Sequence, residues 1–253
     1  MQKSSVIKTI LKLLVFMGLA GYLIYAIVRF NRPDQCPECT GLDIVINDEQ
    51  DTDFINENEI RELLVSKKLF PEGKALEDID LTELEKVLTA SPYIDEALCF
   101  KTGEGRIAIR VTPRVPVLHV LNNAGEDFYI DNHGGTMPRG HHTTDLLVMT
   151  GNVPRSTAGP LYSALGKRLG RDEYWNQQIQ EIHINADGEI ELTPTAGDFI
   201  ILLGDTSSID DKLSRLRTFY TEGLNKAGWN RYKEINLKFD GQVIGVKDNA
   251  KKK

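Results

Sequence analysis

No aspartate or glutamate occurs before Pro33, although the chain carries 37 of them. Lys3, Lys8, Lys12, Arg29 and Arg32 are the charged side chains of that first stretch, so 25 of the 30 basic residues face all 37 acidic ones from Pro33 onward, a net charge of −12. A surface this acidic repels phosphate backbones and excludes nucleic acid as a partner. The closing Lys251-Lys252-Lys253 is too short to change that and reads as a solvated tail. Cysteine is scarce, with three in 253 residues. Internal repeats, low-complexity blocks and a long series of amphipathic strands are absent, which excludes solenoids and membrane β-barrels. Absent too are H-E-x-x-H, G-x-S-x-G and the phosphate-binding P-loop, and no pair of carboxylates stands out for acid–base work. What remains, 41% hydrophobic and 26% charged residues, is ordinary folded-protein composition and excludes wholesale disorder.

One apolar run breaks the pattern. Ile10 to Val28 contains a single charge, Lys12, and as a helix spans about 28 Å, close to a hydrocarbon core. Lys12 can extend its amine to the headgroups, and Tyr22 and Tyr25 lie toward the far interface. Gly18-Leu19-Ala20 offers a signal-peptide cleavage site, but the run continues eight residues past Ala20, which an anchor needs and a signal peptide does not. No lipid-attachment cysteine closes the run.

Cys36 and Cys39 form Cys-Pro-Glu-Cys just beyond it. A redox pair needs a thioredoxin-like helix N-terminus, and nothing of that kind flanks it. A zinc site needs two more ligands at matched spacing, and Cys99 is the one cysteine left. A local disulfide, or a pair of inert thiols, needs nothing further, so Cys36 and Cys39 are a candidate disulfide. Cys99 alternates with apolar neighbours and reads as a small core residue.

Beyond a polar linker (29–40), local patterns alternate. Gly41 to Asn47 reads as a strand, Asn56 with Glu59 as the cap of a helix bearing Ile60, Leu63 and Leu64, and Phe70 to Asp80 as a loop. Leu81, Leu84, Val87 and Leu88 mark a second helix stopped by Ser91-Pro92, and two strands follow, Ile94 to Phe100 and Arg106 to Thr112. The order is β-α-α-β-β, with both helices able to cover one face of a three-stranded sheet.

From Val115 the chain is β-rich with two helices. Val117 to Leu121 and Phe128 to Asp131 read as strands, Gly134 to Thr144 as a loop and Leu146 to Thr150 as a short strand. Leu161, Leu165 and Leu169 suggest a helix face. Asp187-Gly188 joins a hairpin, Phe199 to Leu203 reads as a buried strand, and Ser208 as the cap of a helix bearing Leu213, Leu216 and Tyr220. In Lys233 to Asp240, Ile235, Leu237 and Phe239 alternate with Asn236, Lys238 and Asp240, as in a half-buried strand near a sheet edge. Gln242 to Lys247 follows with few charges and no proline, so its edge is poorly protected against pairing. By the residues alone this reads as the last paired strand of the sheet.

The order of these segments resembles a known family. Ser91 to Ala97 (SPYIDEA), Arg106 to Val117 (RIAIRVTPRVPV), Tyr129-Ile130-Asp131 with Gly134-Gly135, Leu203-Gly204 with Lys212-Leu213 and Leu216, and Tyr232 to Phe239 (YKEINLKF) resemble successive motifs of the bacterial cell-division family FtsQ/DivIB. Thr112, Leu118 and Asn236 stand where the family has Glu, Ala and Asp. The resemblance covers about residues 10 to 247. It implies an α+β chain with a cytoplasmic N-terminus (1–9), an inner-membrane helix (10–28), the linker, a POTRA domain (41–114), a β-domain (115–247) and a tail (248–253). It also implies a division scaffold without catalytic residues, cofactor, metal or small-molecule substrate, single-pass in the inner-membrane lipid and working at the septum from the periplasm. Its expected partners are FtsB-like and FtsL-like proteins, with FtsW-, FtsI- or FtsK-like proteins at the POTRA domain. The FtsB-like partner is expected on the C-terminal edge, at Lys238, Phe239, Asp240, Gly241, Gln242, Val243, Ile244 and Gly245. Two other readings compete: a POTRA adaptor of envelope assembly, and an anchored hydrolase using a metal at His133, His141, His142 and Asp145. Those histidines lie in a Gly/Thr-rich stretch and read as solvated.

Overall fold

The structure, a computed structural model, describes residues 2–30, 37–48, 54–140 and 144–247. Helix α1 (Gln2–Phe30) is followed by two α+β units. Within α1, the stretch Lys12–Arg29 has mean hydropathy 1.6 and none of it is buried, so it is long and apolar enough to cross a membrane.

The first unit is a three-stranded sheet in the order β1-β3-β2, formed by β1 (Leu42–Ile46), β2 (Ile94–Lys101) and β3 (Ile107–Pro113). β1 runs parallel to β3, and β2 antiparallel to it. Helices α2 (Glu57–Ser66) and α3 (Leu81–Thr89) close one face, burying Ile60, Leu64, Leu84 and Leu88 on Ile107, Ile109 and Val111. The expected cap is present in full. Asn56 Oδ1 accepts from Glu59 N and Glu59 Oε2 accepts from Asn56 N, both at 3.0 Å. At the start of α3, Asp80 Oδ1 accepts from Glu83 N at 3.1 Å. The stretch Phe70 to Asp80 is not wholly irregular, since Leu76–Asp78 forms a 3-10 turn with Leu76 buried. Cys99 lies in this core, where burial pushes its thiol up to about 12 and removes its reactivity. Cys39 is buried with a free thiol that donates to Gly41 O. Cys36 lies outside the described residues.

The second unit is a nine-stranded mixed sheet, order β12-β11-β10-β9-β8-β7-β4-β5-β6. Its strands are β4 (Pro116–Asn122), β5 (Asp127–Asp131), β6 (Thr136–Pro138), β7 (Val148–Gly151), β8 (Ile179–Ile184), β9 (Ile190–Pro194), β10 (Ile200–Gly204), β11 (Tyr232–Asn236) and β12 (Ile244–Lys247). Helices α4 (Arg155–Gly170), α5 (Glu173–Gln178) and α6 (Ile209–Thr218) cover one face only. That asymmetry corrects the reading of Phe199 to Leu203 as uniformly buried. Ile201 and Leu203 are fully buried under the helices, whereas Ile200 points to the bare face and is 46% exposed.

Other expectations are also revised. The stretch read as a loop contains β6, which pairs with β5. Between the two expected helices the chain adds a short helix α5, which Asp172 caps by accepting from Tyr174 N and Trp175 N. Leu161 does not face the core and is 50% exposed. α4 instead turns Gly159 and Gly166 to the sheet, where an added Cβ would lie 2.0 Å from Gly134 O and 2.5 Å from Leu118 Cγ. Leu161, two residues after Gly159, is carried to the opposite side. Ser208 does not cap α6. It sits at φ +49 with no side-chain bond to the helix. Asp205 takes the polar role, its Oδ1 accepting from Ser207 N and from the buried Lys212 Nζ at 2.6 Å.

The two units meet around Arg114. Its backbone N donates to Tyr93 O, and its guanidinium donates to Ile94 O and to Asp131 Oδ2 at 3.2 Å. Asp131 is 2% exposed, and its other oxygen accepts from His133 N and Gly135 N. Phe54, fully buried, reaches from the first unit onto Tyr129 and Met137 of the second, edge-on to the Tyr129 ring at 5.4 Å.

Candidate partner-binding edge

The end of the chain is built outward from α6. After a widened π-helical turn (Phe219–Leu224) and Gly228, β11 enters the sheet parallel to β10, with Ile201 opposite Ile235. β12 returns antiparallel, pairing Asn236 with Ile244, Ile235 with Gly245 and Glu234 with Val246. β12 is one of the two terminal strands of the sheet, with β6 at the far end, so among the described residues its outer edge has no strand beside it.

The expected site residues divide between two settings. Lys238, Phe239, Asp240, Gly241, Gln242 and Val243 lie in the connection between β11 and β12, while Ile244 and Gly245 lie on β12. Lys233 to Asp240 is therefore not one strand, because pairing stops at Asn236. The expected alternation holds for Ile235 and Leu237, both fully buried, and fails at Phe239, which swings out to 54% exposed. The cause is local. Asn236 Oδ1 accepts from Lys238 N and bends the backbone, and Gly241 reverses it at φ +67.

On the helix-covered side, Gly245 lies beneath the Tyr232 ring, where a Cβ would come within 2.5 Å of the ring carbons. Tyr232 in turn packs on Phe219 at 5.6 Å. Beside it an open groove is lined by Ser214, Arg215, Thr218, Phe219, Gly223 and Val243. On the other side, Ile244, 40% exposed, faces away from the helices beside Asn236. A strand laid along β12 would thus meet main-chain donors and acceptors at its edge, with the groove on one side and apolar surface on the other.

Several charges around the edge are paired. Lys238 Nζ contacts Glu189, and Arg215 Nε donates to Asp211 at 2.8 Å. Lys212 Nζ donates to Asp205, and this hydrogen bond holds the Asp205 carboxyl near 2, below its ordinary 3.8. Such pairs orient structure; none places a nucleophile beside a base. Sequence reasoning missed Arg215 and Tyr232, and the one available signal was the helical spacing of Asp211 and Arg215.

The histidine cluster of the hydrolase reading does not assemble among the described residues. His133 is exposed and its Nδ1 contacts Asp95, Asp145 lines a small pocket under α4, and His141 and His142 lie outside the described residues. No group of three or more metal-ligating side chains occurs among the described residues.

Two family models match the chain. One, described as a POTRA-like domain, spans residues 37–112, and the other, described as FtsQ/DivIB, C-terminal related, spans residues 115–246, just over half the chain. No curated protein matches. The first model falls on the three-stranded unit and the second on the nine-stranded sheet that ends at β12, and on that match the chain belongs to the FtsQ/DivIB family.

Proposed function

We propose that this chain is a non-catalytic scaffold of bacterial cell division that captures an FtsB-like partner, together with its FtsL-like companion, by strand addition along β12. The family makes it a division-related scaffold with a POTRA-like module. The finer reading rests on one observation: β12 ends the nine-stranded sheet with its outer edge unoccupied among the described residues. It is short and unbroken by proline, and one lysine, Lys247, guards it. Main-chain hydrogen bonds would supply affinity, and the groove beside Phe219 would supply side-chain selectivity. The apolar stretch Lys12–Arg29 anchors the chain in the inner membrane, with residues 1–9 cytoplasmic and the domains at 41–114 and 115–247 periplasmic. The POTRA-like domain offers the second contact surface, for FtsW-, FtsI- or FtsK-like proteins.

Photoreactive side chains placed at Ile244 and Val246 of the full chain, in its own host, test this reading. They are expected to cross-link to the FtsB-like protein, and Phe239→Glu is expected to abolish its capture while the fold persists. Cross-linking at Val45 of the POTRA-like sheet but not at Ile244 or Val246 would overturn the assignment.

A further inference from the structure

The connection between β11 and β12 has little of its own to hold it. Leu237 is buried, but Phe239 is more than half exposed and Asp240, Gly241 and Gln242 are exposed. Past Leu237, whose N donates to Leu202 O, its backbone ties are local, Lys238 N to Asn236 Oδ1 and Gln242 N to Phe239 O, and Lys238 Nζ reaches out to Glu189. β12, in turn, is only four residues long and is joined to the sheet along one side. Such a strand would fray unless its entry were fixed from elsewhere.

One side chain reaches in from α6. The Arg215 guanidinium donates through Nη1 to Phe239 O at 2.9 Å and to Gln242 O, and through Nη2 to Leu237 O at 3.4 Å. Its Nε is taken by Asp211 one turn earlier. The Arg215 side chain is 14% exposed, and it lines the groove beside β12. A planar fork suits this task, because it presents several donors at fixed angles to carbonyls spread along a bent backbone.

We propose that Arg215 is the positioning residue of the docking edge: by gathering the carbonyls of Leu237, Phe239 and Gln242 it holds β12 in register before any partner arrives. The proposal rests on the reading of β12 as the docking strand. Strand addition to an ordered edge spares the partner the entropy of ordering it, so loss of the fork weakens capture together with the protection of β12. The Asp211 pair serves only to aim the fork.

The test compares Arg215→Lys, Arg215→Gln and Asp211→Asn in the full chain in detergent, by hydrogen exchange and by titration with the host's FtsB-like protein. Lysine keeps the charge and most of the stem but cannot bridge several carbonyls. Arg215→Lys is expected to lower protection across residues 237–247 about tenfold, leave β4 and β8 unchanged, and weaken partner binding about tenfold. Asp211→Asn is expected to change both by less than about threefold. If Arg215→Gln unfolds the domain, Arg215→Lys still carries the comparison. Native-like exchange and affinity in Arg215→Lys would overturn the proposal, and so would lost protection with unchanged affinity. Those outcomes differ from failure of the docking reading itself, in which the native chain gives no cross-link from Ile244 or Val246.

Discussion

At the scale of single residues, Asp205 and Lys212 show how the start of α6 is held without a side-chain bond from Ser208. The buried ammonium of Lys212 needs a counter-charge, and Asp205 Oδ1 supplies it at 2.6 Å. A carboxyl held near 2 when folded, against an ordinary 3.8, contributes stability above pH 4, and that contribution fades as pH falls toward 2. Because Asp205 is 74% exposed, water screens the pair and its worth is at the low end. Asp205→Asn is therefore expected to cost about 1–2 kcal/mol at pH 7. The urea midpoint of the variant should also vary less between pH 4 and pH 2 than that of the native chain. An unchanged slope across that range would remove the pair from the stability account. Ser208 has the residue type of a helix cap, but at φ +49 its hydroxyl makes no bond to the α6 backbone.

At the scale of elements, α4 shows contact overriding propensity. Replacing an interior helical glycine with alanine ordinarily stabilises a helix by about 1 kcal/mol. At Gly159 the new methyl would lie 2.0 Å from Gly134 O, and Gly134 sits at φ +82, a backbone with little room to move. Gly159→Ala is expected to destabilise the second unit by about 2 kcal/mol or more, with the opposite sign to propensity, as read by thermal or urea unfolding. Gly170→Ala, with nothing near its Cβ, is the control and should be close to neutral or mildly stabilising. The same contact explains why the expected Leu161 face failed while Leu165 and Leu169 held. Strand patterns were legible wherever one face met water, as in β3, where Ile107, Ile109 and Val111 are buried in alternation. β6 and α5 escaped because elements of three and six residues are too short to display a period.

At the scale of the whole molecule, the two units touch through Arg114, Asp131 and the Phe54 contact on Tyr129 and Met137. Arg114 belongs to the stretch joining β3 to β4, so the linker itself carries the latch. Phe54→Ala is expected to cost about 3 kcal/mol and to broaden the distance distribution between spin labels placed on Val65 and Gln180. A distribution as narrow as that of the native chain would mean that Arg114 and Asp131 hold the units without it. Sequence alone determined the apolar first helix, the β-α-α-β-β order, the Asn56 cap and the acidic character of the rest, because each depends on neighbours a few residues apart or on composition. The tertiary structure alone decided that β12 is the outermost strand, that Phe239 leaves the sheet, that Ile200 faces water and that Arg215 reaches three carbonyls more than twenty residues away. Those depend on which strands and helices come to lie side by side, and periodicity along the chain carries no record of that.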